Sequence, residues 1–337
     1  MAMVPPVTVL LPLYQHGDTI GAALASMLAQ TYTDLAIHVL DDGSTDQGPQ
    51  VVADVAAGDP RVRLFRFDHR GIVVTLESGL AAVRSPFVAR MDADDYSAPR
   101  RLEMQMAAMA ADPQLAAVDC QVELGGCQIT GGGMRQYVDW VNGLLSWGSL
   151  RDALFEEAPL VHPATVLRTE ALREVGGYQE SAGPEDYSLW LRLVGAGWRL
   201  GKVPETLFTW ADSPGRLTRV DPRCTREAQL ALKVRMLPEL VPGVRAGVQV
   251  WGAGPTGRRL MRQLAAAGIP IVRIYDFAKR LLGRELFGAP VVSLYDLPAH
   301  PSPICLVALG RRPAKERVRE FMGHHQLKCW EHFLFVS

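Results

Sequence analysis

The sequence has 337 residues, 48% hydrophobic and 21% charged, the balance of a soluble globular chain long enough to bury two cores. A net charge of −1 removes the general attraction that draws basic proteins to nucleic acid, so no nucleic-acid partner is expected. The five cysteines, Cys120, Cys127, Cys224, Cys305 and Cys329, are odd in number, scattered and without a CxxC pair, which speaks against a disulfide framework or zinc site and fits reduced thiols.

Apolar runs of strand length occur at Val7–Leu13, 35–40, 62–67, 87–91 and 115–120. Between them, Ile20, Leu24, Met27 and Leu28 keep helical spacing, and Arg101–Ala111 places Leu102, Met106 and Met109 on one side. Strands alternating with helices predict an α/β fold, a mostly parallel sheet between helices, with ligands bound at the carboxyl ends of the strands. Residues 125–148 carry Gly131-Gly132-Gly133, Trp140 and Trp147 with weak periodicity, and read as a loop-rich crossing segment. A helix is expected over 226–237. Pro238, Pro242 and Gly243 then mark a boundary between a domain of residues 1–243 and one of residues 244–337. The second domain repeats the alternation, with strands at Val248–Trp251, 272–275 and 304–309 and helices near 258–267 and 314–322. No basic leader precedes the first apolar run, and no stretch approaches the roughly 20 apolar residues that span a bilayer. The expected location is cytoplasmic, with peripheral contact at the inner face of a membrane left open.

Two acidic groups follow strands directly: Asp41-Asp42-Gly43-Ser44 and Asp92-Ala93-Asp94-Asp95. Asp and Asn favour turns for their own sake, and either group alone reads as turn chemistry. Two groups at the ends of sheet strands point to one cleft, where carboxylates repel unless a cation offsets them. A hard divalent ion such as Mn²⁺ or Mg²⁺ suits such oxygens and shares its shell with substrate phosphates.

With these residues in place, the sequence resembles the family 2 glycosyltransferases of the GT-A fold. The resemblance runs through Val7-Thr8-Val9-Leu10-Leu11-Pro12-Leu13-Tyr14, Ser26-Met27-Leu28-Ala29-Gln30-Thr31-Tyr32, Asp41 to Asp46 and Ala89-Arg90-Met91-Asp92-Ala93-Asp94-Asp95. It continues at Pro99-Arg100-Arg101-Leu102-Glu103, His162-Pro163, Gly176-Gly177-Tyr178 and Glu185-Asp186-Tyr187-Ser188-Leu189-Trp190.

The resemblance implies an inverting, metal-dependent transfer from a nucleoside-diphosphate sugar, a UDP-sugar by preference, to a carbohydrate or lipid-linked acceptor. It implies that Pro12, Tyr14, Asp42 and Arg70 line the donor site and that Asp42 bonds the base. Asp92 and Asp94 match the DxD motif, the first near the ribose and the second on the metal. Asp186 matches the general base, with Glu185 as its rival. His162 has two readings, beside the acceptor or packed in a loop, and Trp190 is a core residue before it is an acceptor platform. Arg216 and Arg219, in Ser213-Pro214-Gly215-Arg216-Leu217-Thr218-Arg219, are candidate diphosphate cations. The chain departs from the family at Glu77, where many relatives carry Asn, which puts donor contacts in question.

In the C-terminal domain Gly252-Ala253-Gly254-Pro255-Thr256-Gly257 follows a strand and opens a helix, and Asp276 lies 19 residues beyond Gly257. Gly252, Gly254, Gly257 and Asp276 are therefore a candidate second nucleotide site in a small Rossmann-like module with a nucleotide-binding or docking role. An NAD(P)-dependent sugar oxidoreductase acting there, and a non-catalytic nucleotide-binding scaffold, stand as the alternative functions.

Overall fold

The computed structural model describes residues 6–125, 132–212, 216–310 and 312–337. Cys127, Gly131 and Ser213-Pro214-Gly215 lie outside the described residues. The chain divides into two compact units. The first comprises Met1–Leu150, Pro159–Glu180 and Arg192–Val220, and the second Arg151–Ala158, Ser181–Leu191 and Asp221–Ser337.

The first unit is built on an eight-stranded sheet in the order β3-β2-β1-β4-β7-β6-β8-β5. Its strands are β1 Val7–Leu13, β2 Leu35–Asp41, β3 Val62–Arg66, β4 Phe87–Arg90, β5 Tyr96–Ser97, β6 Leu115–Gly125, β7 Val166–Arg168 and β8 Arg199–Ala211. β1 is buried on both faces except at Pro12, which is why it reads as an unbroken apolar run rather than an alternation. It pairs in parallel with β2 along its whole length, but with β4 only as far as Leu10 opposite Arg90. Pro12, which has no N–H to donate, therefore sits where β4 has already ended. The strand order reverses between β1 and β4, so the crevice beyond their carboxyl ends is the switch point where α/β sheets bind ligands.

Helices α1 Ile20–Leu28, α2 Gly48–Gly58, α3 Ile72–Ala82 and α4 Arg101–Ala111 connect these strands. Ile20, Leu24 and Met27 of α1, and Leu102 and Met109 of α4, enter the core as their spacing predicts. The expected loop over 125–148 is corrected. It contains α5 Gly132–Asn142 and the start of α6 Trp147–Ala153. Val138 and Val141, three apart, bury one face of α5, and glycine at the helix start had masked that period. The run at 115–120 is the start of β6, but the short antiparallel β7 between β4 and β6 and the long β8 parallel to β6 were not legible as strands. Their partners lie far away in the chain.

The second unit carries a six-stranded sheet in the order β11-β12-β10-β9-β13-β14. The strands are β9 Val248–Trp251, β10 Ile271–Asp276, β11 Glu285–Leu286, β12 Ala289–Ser293, β13 Cys305–Val307 and β14 Phe333–Phe335. Its helices include α10 Arg226–Leu240, α11 Pro255–Ala266 and α12 Arg312–His324. All its strand pairs but β11–β12 are parallel. Trp251, Tyr275, Val318, Met322 and Phe335 belong to one core cluster. Cys120, Cys224, Cys305 and Cys329 are free, and burial pushes the thiols of Cys120 and Cys224 up to about 12.

Candidate active site

β2 ends in Asp41, and the turn that follows reverses through Gly43, whose φ of +80° favours glycine. Asp42 is buried, and both its oxygens are occupied. Oδ1 accepts from Arg70 N at 2.9 Å and Thr75 Oγ1 at 2.8 Å, and Oδ2 accepts from Gly71 N at 2.9 Å with His69 Nδ1 also at 2.9 Å. A carboxylate has about four acceptor positions, and here protein groups fill them. Asp42 thus ties the turn over residues 69–75 to the end of β2. The turn brings the His69 ring parallel to Tyr14, with centroids 4.1 Å apart and planes 17° apart. Arg70 places its guanidinium 5.5 Å from the Phe67 ring centre.

The DxD turn begins where β4 stops. Arg90, the last residue of β4, is almost fully buried, and its Nη2 donates to Asp92 Oδ1 at 2.6 Å. Its Nη1 donates to the carbonyls of Leu10 and Met91. Arg101, also buried, donates to the Arg90 and Pro163 carbonyls and lies 5.1 Å from the Phe208 ring centre. Two buried cations thus underlie the acidic turn. Asp95 Oδ1 accepts from Ala211 N at 2.7 Å, which fixes the far side of the turn to the end of β8. Burial, then the charges of Asp92 and Asp94, hold the Asp95 carboxyl well above its ordinary value. Burial and Asp92 raise Asp94 as well, while His16 and Arg216 oppose the rise.

Arg216 stacks 4.0 Å from the Trp210 ring centre and donates to the Ala211 carbonyl. Burial lowers its pKa against the pull of Asp95, Asp92, Asp212 and Asp94, so it belongs to the acidic cluster. Arg219 is instead paired with Asp212 at 2.6 Å. His16, Arg90 and Asp212 escaped the sequence reading. The one available signal was Arg90, a cation closing an apolar strand beside the DxD.

His162 is buried, its Nε2 3.4 Å from Tyr178 Oη, and burial with Arg90 lowers its pKa well below the ordinary value. Trp190 is fully buried. Glu77 accepts from Tyr178 N at 2.9 Å, and a methyl group at Gly177 would lie 2.3 Å from its Oε2, so the departure from the family residue serves the 176–178 turn.

Glu185 and Asp186 open helix α8 Glu185–Gly195 and fall in the second unit, as do Gly252, Gly254, Gly257 and Asp276. Asp186 Oδ1 accepts from Tyr187 N at 2.7 Å. A methyl group on Gly257 would lie 1.7 Å from the Gly252 carbonyl oxygen, so this glycine lets α11 meet the end of β9. Asp276 accepts from Ala253 N at 2.7 Å and Ala278 N at 2.8 Å, which staples the glycine loop to the end of β10.

Among the described residues no three His, Cys, Asp or Glu side chains converge as a protein-only metal cage. The acidic turn fits a different coordination. Magnesium and manganese ions at phosphate sites take one or two carboxylates and complete the shell with phosphate and water. Asp94, half-buried and with a disfavoured charge that a cation would relieve, has the chemistry of such a ligand.

The fold is that of the GT-A glycosyltransferases. Residues 8–175 match the family model described as glycosyl transferase family 2, so this part of the chain is a family 2 domain. The putative glycosyltransferase EpsE of Bacillus subtilis is 27% identical over 212 residues, covering 60% of this chain and 72% of that protein. Alignments with an uncharacterized glycosyltransferase of Haemophilus influenzae and the hyaluronan synthase of Pasteurella multocida span 65% and 19% of those proteins. Among solved structures, a mannosyltransferase from Pyrobaculum calidifontis in complex with GDP-Man and Mn²⁺ aligns at TM-score 0.51 and 21% identity, over 79% of this chain and 70% of that one. S. aureus TarS residues 1–349 in complex with UDP-GlcNAc aligns at TM-score 0.53 and 14% identity, over 80% of this chain and 82% of that one. These likenesses are of fold. No helix among the described residues is long and apolar enough to cross a membrane.

Proposed function

We propose that the chain transfers a sugar from a nucleoside-diphosphate sugar to an acceptor hydroxyl, with inversion at the anomeric carbon, in the synthesis of a glycan or polysaccharide. The observation that carries this reading is the turn after β4, where Arg90 donates to Asp92 and the half-buried Asp94 stands two residues on, at the switch point of the sheet. Asp94, with Asp92 beside it, would hold Mn²⁺ or Mg²⁺, which supplies Lewis-acid stabilisation of the leaving diphosphate. Pro12, Tyr14 and Arg70 shape the nucleoside pocket, and Asp42 serves it through the turn that it ties together. Arg216 meets the diphosphate charge alongside the acidic turn.

Asp186 is the proposed base, with Glu185 beside it. An acceptor hydroxyl is far too weak an acid to ionise at neutral pH, so it must lose its proton to a positioned carboxylate as the new bond forms. The acceptor is a carbohydrate or lipid-linked sugar, and the proposed setting is the cytoplasm, including the inner membrane face.

The test is thermal unfolding with UDP, GDP, TDP and NAD, each with and without Mn²⁺. A ligand at about 100 times its Kd adds roughly 2.7 kcal/mol. A manganese-dependent rise with one nucleoside diphosphate, lost in Asp94→Ala, is expected. A rise with NAD alone, untouched by that substitution, would move the activity to the C-terminal glycine loop.

A further inference from the structure

The second unit contains a buried charged network that the proposed reaction does not use. Glu156, at the end of the segment Arg151–Ala158, is buried, and two cations of α12 converge on its carboxylate. Lys315 Nζ lies 2.9 Å from Oε1, and Arg319 Nη2 lies 2.6 Å from Oε2. A third cation, Lys233 of α10, is buried and donates to the Glu156 carbonyl at 2.8 Å. Lys233 also lies 5.7 Å from the ring centre of Tyr187 in the first turn of α8. Tyr187 is buried, and its hydroxyl donates at 2.7 Å to the carbonyl of Leu154, two residues before Glu156.

The same short segment is gripped again by the end of the chain. Trp330 Nε1 donates to the Arg151 carbonyl at 3.0 Å, the Arg151 guanidinium lies 4.7 Å from the Trp330 ring centre, and the Trp330 and Phe155 rings are 5.7 Å apart. Four residues before Tyr187, Gly183 lies against α10. A methyl group there would come within 3.0 Å of Leu232 Cβ, a backbone-near atom that cannot swing aside.

Taking charges out of water is costly, so a network of this kind is weak evidence for stability and stronger evidence for a fixed arrangement. What it fixes is the start of α8, one residue from Asp186. We propose that helices α10 and α12 of the second unit form a positioning module. Through Lys233, Lys315 and Arg319, acting on Glu156 and Tyr187, they seat the first turn of α8 and thereby set the Asp186 carboxylate. This inference rests on the assignment of Asp186 as the base. The residues of the network touch neither donor nor acceptor; they act through Tyr187.

The test uses the full chain and three variants, Glu156→Gln, Tyr187→Phe and Asp186→Asn. The readouts are amide hydrogen exchange, Mn²⁺-dependent binding of nucleoside diphosphate, and hydrolysis of a nucleoside-diphosphate sugar by water. Glu156→Gln and Tyr187→Phe are expected to raise exchange across residues 185–191 at least tenfold. They should also lower turnover about tenfold, with nucleotide affinity and exchange at residues 88–94 unchanged. Unchanged exchange at 185–191 in both variants would overturn the proposal, as would full turnover in spite of raised exchange. Because Tyr187→Phe removes one hydroxyl and keeps the ring, it remains informative if Glu156→Gln fails to fold. Full turnover in Asp186→Asn would instead overturn the assignment of the base, a result separable from the exchange measurement.

Discussion

Asp119 and Lys202 form a fully buried ion pair, with Lys202 Nζ 2.5 Å from Oδ2, and Oδ2 also accepts from Val161 N. Burial raises the Asp119 carboxyl to about 6 even though Lys202 pulls it down. A carboxyl whose folded value exceeds the unfolded one binds its proton more tightly in the native state. Its contribution is therefore complete below about 4 and is lost as pH rises through the folded value. Lys202→Met removes the partner and pushes the carboxyl higher still. Unfolding in urea should show a loss of about 3–5 kcal/mol at neutral pH, smaller at pH 5 than at pH 8. A loss independent of pH would mean that packing alone decides the site. Glu77 offers a second test. Glu77→Ala leaves Tyr178 N without its acceptor and should cost about 1–3 kcal/mol in thermal unfolding, while the choice among UDP, GDP and TDP stays as in the parent.

The glycine loop between β9 and α11 shows how element packing uses a sequence motif. Gly252 has a φ of +111°, and Gly257 leaves no room for a methyl group beside the Gly252 carbonyl, whereas a methyl group on Gly254 would have no neighbour within 4 Å. Gly257→Ala should therefore force α11 off the sheet and cost about 3 kcal/mol or more, read as a fall in Tm. Gly254→Ala should change Tm little. Equal effects of the two would show that the loop yields more readily than its backbone contact implies. Helix α10 makes a smaller point at the same scale. Thr225 Oγ1 accepts from Ala228 N at 3.3 Å as its N-cap, so Thr225→Ala should cost about 1 kcal/mol.

At the scale of the whole molecule, the second unit draws on two short segments, Arg151–Ala158 and Ser181–Leu191, that lie in the chain within the span of the first. A truncation after residue 243 would strip Phe155, Glu156 and Tyr187 of partners in the C-terminal domain or in the network it completes. Residues 1–243 alone should therefore bind the dye that marks exposed apolar surface and melt without a sharp transition, while the full chain melts cooperatively. A sharp transition in the truncated chain would show that residues 1–243 fold independently.

β1 and β2 were legible because each is apolar over nearly its whole length, β3 because Val62, Leu64 and Phe65 recur between arginines, and α1 and α4 because their periods are local. The DxD turn and the glycine loop were legible because their chemistry lies within a few consecutive residues. Residues 132–142 hid a helix behind glycines, and β6, β7 and β8 hid a mixed sheet, because their pairing joins residues dozens of positions apart. Sequence alone named Asp42, Asp92, Asp94 and Asp186. It did not say that Arg70, Gly71, Thr75 and His69 fill the oxygens of Asp42, or that Arg90 takes Asp92. Nor did it show that Glu156 would be buried under cations 159 and 163 positions later in the chain. What the sequence determined by itself was local: element periods, turn chemistry and the family motifs. What the tertiary structure decided was which charges share a low-dielectric space. Sequence order carries no record of that, because burial is fixed only when distant segments pack together.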